Sequence, residues 1–250
     1  MQITAKRITN AVQITNIKIM IEVKNLTKVY GDETVLDISL LKINKGDSFG
    51  LVGNNGAGKT TLFRLILDLI RANSGMVLSN EKDVKADSEW KYYTGSYLDQ
   101  RFLIDFLTPE EYFEFLNGTY GLSKGDLEQF YGDFTDFFND EILGKKKYIR
   151  DFSQGNRQKV GIAAALMAKP EVLILDEPFN GLDPSTQIRL KNLLNKLKSE
   201  NEVTMLISSH DLKHVTEVCD RIAVLEKGKL IHDIKTSEGT LQELESYFSV

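Results

Sequence analysis

Cys219 is the only cysteine in 250 residues. It can form no intramolecular disulfide and no cysteine-based metal cluster, which favours a reducing, cytoplasmic setting. Basic charge is also scarce: 31 Lys and Arg stand against 36 Asp and Glu, a formal net charge of −5 at pH 7. With the charges scattered along the chain, there is no basic surface to draw a phosphate backbone, and nucleic acid is not an expected partner. Long apolar runs are missing too. A membrane-spanning helix takes about 18 to 20 consecutive apolar residues, and the dense stretch at 65–70 is hemmed by Arg64 and Arg71 and broken by Asp68. Residues 1–19 (MQITAKRITNAVQITNIKI) lack the apolar run of a secretory signal. Because Met20 opens more regular text, 1–19 read as an N-terminal extension or the product of an upstream start codon.

What remains is ordinary globular material, 42% hydrophobic and 27% charged, enough for one large α/β unit with an inserted subdomain. Residues 21–52 read as short strands joined by turns, an antiparallel lead-in ending in the buried strand DSFGLVG. After the Gly-rich stretch at 53–58, TLFRLILDLIRA has helical apolar spacing over three turns and closes near 73–75. Between 101 and 150 the composition shifts, with 12 of the chain's 22 Phe and Tyr falling there. That segment carries a Thr108-Pro109-Glu110-Glu111 helix start and reads as an inserted helical subdomain. From 157 onward helices alternate with apolar strands, which implies a mostly parallel sheet. The domain expectation is a catalytic core from 20–100 and 151–250, with the insert at 101–150.

Residues 53–60 spell GNNGAGKT between a predicted strand and a predicted helix, the setting that a phosphate-binding loop requires. Gly53, Asn54, Asn55, Gly56, Ala57 and Gly58 let successive N–H groups converge on phosphate oxygens, while the helix beginning near Lys59 points its positive end at them. Lys59 then suits the β- and γ-phosphates and Thr60 a Mg²⁺ ion, with Thr61 next in line. Downstream, VLILDE ends a buried strand with Asp176 and Glu177. Such pairs also simply end strands at surfaces, but opposite this loop Asp176 suits the metal and Glu177 the attacking water.

The ordered series GNNGAGKTT, Gln100, FSQGNRQKVGIAAALMAKPEVLILDEPFNGLDP and ISSHD resembles the ATPase domain of the ABC transporter superfamily, over about residues 21–232. The resemblance implies ATP and Mg²⁺ as ligands and a role for each matching residue. Tyr30 matches the aromatic that stacks on adenine, or else covers core at a turn. Gln100 matches the loop glutamine that touches Mg²⁺ and water, or else is a plain loop amide. Ser153, Gln154, Gly155 and Asn156 occupy the signature that contacts the γ-phosphate of an opposite subunit. Asp183 matches the acid linking the two sites of a dimer, and His210 the switch histidine, unless it joins Asp211 in capping the next helix. His214 and His232 match no position and read as surface or packing residues.

The signature departs from the usual LSGGQ: it reads FSQGN, with Gln154 and Asn156 replacing a glycine and a glutamine. Ser153 and Gly155, just before a helix expected to begin near Asn156, keep the means of holding an anion. The resemblance further implies integral membrane permease subunits as partners, a second copy or a related ATPase subunit, and a peripheral place on the inner face of the cell membrane. It also implies that the 101–150 region borders the docking groove for membrane partners, with internal packing as the equal alternative for its aromatics. The short stretch beyond about residue 235 slightly favours an export-type subunit over a regulated importer. A soluble ATPase acting on ribosomes or DNA would be expected to show duplicated halves or a long coiled coil. A non-catalytic scaffold would be expected to lack Lys59, Asp176, Glu177 or His210.

Overall fold

The computed structural model describes residues 18–200 and 203–248. Apart from Lys18 and Ile19, the expected N-terminal extension lies outside the described residues. Ile19 already pairs with Asn44, so the first strand opens inside that segment.

Alternating apolar residues form β1 (Ile19–Tyr30) and β2 (Glu33–Asn44), an antiparallel pair with Tyr30 opposite Glu33 at the turn. Two short strands that the sequence reading passed over, β4 (Ser74–Ser79) and β5 (Lys82–Asp83), complete a four-stranded antiparallel sheet in the order β2-β1-β4-β5. The second sheet contains β3 (Ser48–Val52), β6 (Thr94–Tyr97), β7 (Val172–Leu175), β8 (Thr204–Ser209), β9 (Arg221–Glu226) and β10 (Lys229–Lys235), ordered β10-β9-β3-β8-β7-β6. All are parallel except the edge strand β10. Every residue of β3, β7 and β8 is buried, the pattern of parallel strands covered on both faces. The architecture is the expected α/β one, a mixed sheet core with an antiparallel lead-in. Its order sets the carboxyl ends of β3, β8 and β7 side by side, where open α/β sheets bind ligands.

The helix after β3, α1 (Lys59–Ile66), is shorter than the apolar spacing predicts. Asp68 takes a left-handed φ of 48°; its N–H reaches Leu65 O and that of Leu69 reaches Arg64 O, which satisfies the last carbonyls and ends the helix. A short helix, α2 (Trp90–Tyr93), precedes β6. The segment expected to be an insert holds α3 (Pro109–Thr119), α4 (Lys124–Asp133) and α5 (Thr135–Phe138). Thr108 and Glu111 close the predicted capping box of α3.

Beyond the insert lie α6 (Gln154–Leu166), α7 (Pro184–Ser199), α8 (Leu212–Val218) and α9 (Thr240–Phe248). The start of α6 corrects the expectation of a beginning near Asn156. Ser153 Oγ accepts the Asn156 N–H, so Ser153 is the cap and Gly155 lies inside the first turn.

The aromatics of the 101–150 segment are of two kinds. Phe113, Phe130, Phe134, Phe137 and Phe138 are buried, with ring centroids 5.0 Å apart for Phe113–Phe130 and 4.7 Å for Phe130–Phe134. They join one cluster with Val160 and Ala163 of α6 and Leu173 of β7, each fully buried ring contributing about 1.5–3 kcal/mol. Phe102, Phe106, Phe115, Tyr120 and Tyr148 remain exposed.

Candidate active site

The loop at 53–58 leaves the buried end of β3 and enters α1 through Gly58, whose φ of 109° lies where side chains are strained. A Cβ there would also stand 2.9 Å from Val35 O. No side chain caps α1, so its first N–H groups face the loop's concavity. Asn54, Asn55 and Gly56 are exposed at the rim, while Ala57 is buried beneath them. Lys59, only 6% exposed, folds back to donate to Gly53 O at 2.6 Å and Asn54 O at 3.4 Å. Thr60 donates its hydroxyl to Asp176 Oδ2. Thr61 sits half-buried in the same turn.

Across the loop, Asp176 follows β7 with its N–H on Tyr97 O at 3.0 Å. The Ser208 hydroxyl, from β8, donates to its other oxygen. Burial pushes the Asp176 carboxyl above its ordinary range, against the pull of the Ser208 and Thr60 hydroxyls. Glu177 takes a left-handed φ of 48°, a conformation costing about 1–2 kcal/mol outside glycine. It is held by its N–H on Ser208 Oγ at 2.9 Å and by Gln158 Nε2 on its carbonyl at 3.1 Å. This turn aims the carboxylate between two cationic or polar groups: Oε1 lies 3.1 Å from Lys59 Nζ, and Oε2 lies 2.9 Å from His210 Nδ1. The His210 N–H adds a third contact, 3.2 Å from Oε2. Asp211, not His210, caps α8.

The other expected residues lie apart. Gln100 is not on the Thr60–Asp176 pair; its Oε1 accepts from Arg157 Nε at 2.7 Å. Tyr30 stands exposed at the β1–β2 turn with Lys28 Nζ 4.7 Å from its ring centroid. Asp183 caps α7 through the hydroxyls and N–H groups of Ser185 and Thr186, and those bonds hold its carboxyl well below the usual range. Gln154 turns its amide onto the loop at 181–183; Nε2 would stand 2.8 Å from a Cβ at Gly181. Among the described residues, no hydrogen bond or ion pair joins 153–156 to the loop at 53–61. His214 is buried and stacks on Phe179 at 4.5 Å, and His232 packs against Tyr247.

A family model for ABC transporters matches residues 36–180. The chain belongs to the ABC transporter family. It is 37% identical over 225 residues to a bacitracin transport ATP-binding protein of Enterococcus faecalis, covering 88% of this chain and 70% of the relative. An ABC transporter ATP-binding protein of Bacillus subtilis is 33% identical over 237 residues, covering 92% and 75%. Among solved structures, an ATP-binding subunit of an ABC transporter superposes with TM-score 0.78 at 28% identity, over 92% of this chain and 93% of that one. A dimeric structure of an ATP-binding cassette in a post-hydrolysis state, bound to ADP and Pi, gives 0.78 at 25% identity, over 87% and 99%. The protein is thus an ABC transporter ATP-binding subunit and an ATPase.

Three residues of this ABC ATPase escaped the sequence reading as site groups: Ser208, Gln158 and Arg157. All three act on a neighbouring loop, Ser208 and Gln158 on the 176–178 turn and Arg157 on Gln100. Ser208 stands within ISSHD and the other two within the signature run, so their motif membership was the only available signal.

Proposed function

We propose that the loop at 53–61 binds the triphosphate of ATP, with Lys59 moving from Gly53 O and Glu177 onto the β- and γ-oxygens, and that Tyr30 stacks on adenine. The observation that carries this reading is the Glu177 carboxylate held between Lys59 and His210 beside the Thr60–Asp176 pair. Among the described residues no group of three His, Cys, Asp or Glu converges as a metal cluster. A hydroxyl and a buried carboxylate whose oxygens accept from the Thr60 and Ser208 hydroxyls nonetheless suit a hard cation that brings its own waters and phosphate oxygens. Thr60, Asp176 and Gln100 are the residues that would hold Mg²⁺. That ion, when bound, neutralises charge on the β- and γ-oxygens.

Freed from Lys59, Glu177 takes the proton of the water whose oxygen bonds to the γ-phosphorus as the bond to the ADP oxygen breaks. His210 keeps Glu177 oriented through Nδ1 and meets the γ-phosphate side. Ser153, Gln154, Gly155 and Asn156 act on the nucleotide held by a second copy or a related ATPase subunit, and Asp183 links the two sites. ATP closes that pair and hydrolysis opens it, driving permease subunits in the membrane from the inner face. The reading includes an export-type subunit, and bacitracin transport ATP-binding proteins are among the relatives. The division into a core at 20–100 and 151–250 and an insert at 101–150 belongs to the same reading.

Glu177→Gln tests it. The variant should bind ATP, lose turnover by about 10²-fold or more, and elute as dimers in size-exclusion chromatography with ATP; unchanged steady-state turnover removes Glu177 from the chemistry.

A further inference from the structure

Gln100 sits in an arrangement that the nucleotide site does not explain. It opens a single 3-10 turn, Gln100–Phe102, after β6, and both ends of its amide are used. Oε1 accepts from Arg157 Nε at 2.7 Å, and Nε2 lies 3.5 Å from Gln154 O in the signature turn. The same guanidinium donates through Nη1 to Arg150 O at 3.0 Å and Phe152 O at 2.9 Å, the carbonyls that lead into the signature. Behind it, the Tyr97 ring leaves no room on α6 for more than a glycine: a Cβ at Gly161 would stand 2.1 Å from Tyr97 Cε2. Residues 97–100 and 150–157 are therefore one packed block, and Arg157 is its rivet.

We propose that Arg157 is a positioning residue that latches Gln100 to the signature turn, so that the two are held and released together. A planar fork with donors in different directions can grip a side-chain amide and two main-chain carbonyls at once; an ammonium group is a single point of charge and cannot reproduce that grip. While the latch is closed, the Gln100 oxygen is spent on Arg157. A nucleotide that uses Gln100 then meets a competent site only in the open fraction of molecules, which weakens its apparent affinity by that fraction. Opening the latch also removes the donor from Arg150 O and Phe152 O, so the arrival of nucleotide at one loop loosens the approach to the other.

The proposal rests on Gln100 reaching the nucleotide as set out above, and the test separates the two. ATP binding by isothermal titration calorimetry and steady-state hydrolysis would be measured on the whole chain for wild type, Arg157→Met and Arg157→Lys, each also with Gln100→Ala. Both Arg157 variants should bind ATP about 3- to 10-fold more tightly yet turn over more slowly, a split that a merely destabilised helix does not produce. With Gln100→Ala in place the Arg157 substitutions should leave affinity alone. Equal or weaker binding in both Arg157 variants, or tightening that persists without Gln100, overturns the latch while leaving the nucleotide site standing. A wild-type chain that binds no ATP removes both. If Arg157→Met fails to fold, Arg157→Lys, which keeps the charge and the length, decides the matter.

Discussion

The carboxyl ends of β3, β7 and β8 and the start of α6 both hand a short loop over to a helix, yet they are completed to different degrees. At the first, Lys59, Thr60, Asp176, Glu177, Ser208 and His210 bond to one another inside a single chain. At the second, Ser153 caps its own helix, Gln154 leans on Gly181, and among the described residues no hydrogen bond or ion pair joins 153–156 to the first. One region is assembled before any ligand comes. The other presents an exposed helix start, which under the proposed function acts on the nucleotide of a second subunit.

Damage to the two regions should therefore register differently. The largest effect is expected from Lys59→Ala, which removes the ammonium from the assembled region and should weaken ATP binding roughly 10- to 100-fold. Calorimetry on the isolated chain checks this, and wild-type affinity would detach the loop from the nucleotide. Ser153→Ala should leave that affinity near wild type but cut turnover about tenfold, with about 1 kcal/mol of stability lost through the missing cap. If binding by the isolated chain falls as far as it does for Lys59→Ala, the distinction between the regions disappears.

The smallest effect concerns the footing of the second region. One turn beyond Asn156, Lys159 is 1% exposed and donates to Glu141 Oε2 at 2.9 Å. That bond, with help from Asn139, holds the Glu141 carboxyl below its ordinary range. A lowered folded-state value means that the stabilisation is present above the unfolded carboxyl's range, near pH 4.3, and fades as pH falls through the folded value. Glu141→Gln should thus cost about 1 kcal/mol at pH 7, discounted because Glu141 is 42% exposed, and progressively less toward pH 3. Urea titrations at several pH values would show this, and a penalty independent of pH would mean that packing, not the ion pair, supports α6.

Much of this molecule could be read before its structure. Buried parallel strands write themselves as apolar runs such as VLIL at 172–175, and the glycines, Lys59, Thr60, Asp176 and Glu177 occupy spacings that phosphate chemistry restricts. The structure brings those residues together. What stayed hidden has physical reasons. The early end of α1 depends on a left-handed aspartate, Asp68, that apolar periodicity does not register. β4 and β6 (SGMVLS and TGSY) are too short and too polar to announce themselves. α6 starts two residues before the expected Asn156 because glycine and asparagine near a helix start look like loop, whereas the Ser153 cap decides the boundary. Beyond their place inside the matching motifs, Gln158, Ser208 and Arg157 stay hidden because their bonds to main chain, to the Asp176 carboxylate and to the Gln100 amide join groups that only folding brings close.

The left-handed backbone at Glu177 sets folding and chemistry against each other at one residue. A glycine there would relax the turn while keeping the N–H and carbonyl that Ser208 and Gln158 hold, giving a less strained chain with no carboxylate facing Lys59 and His210. Under the proposed function, that backbone strain is the condition for a carboxylate to stand at the attacking water.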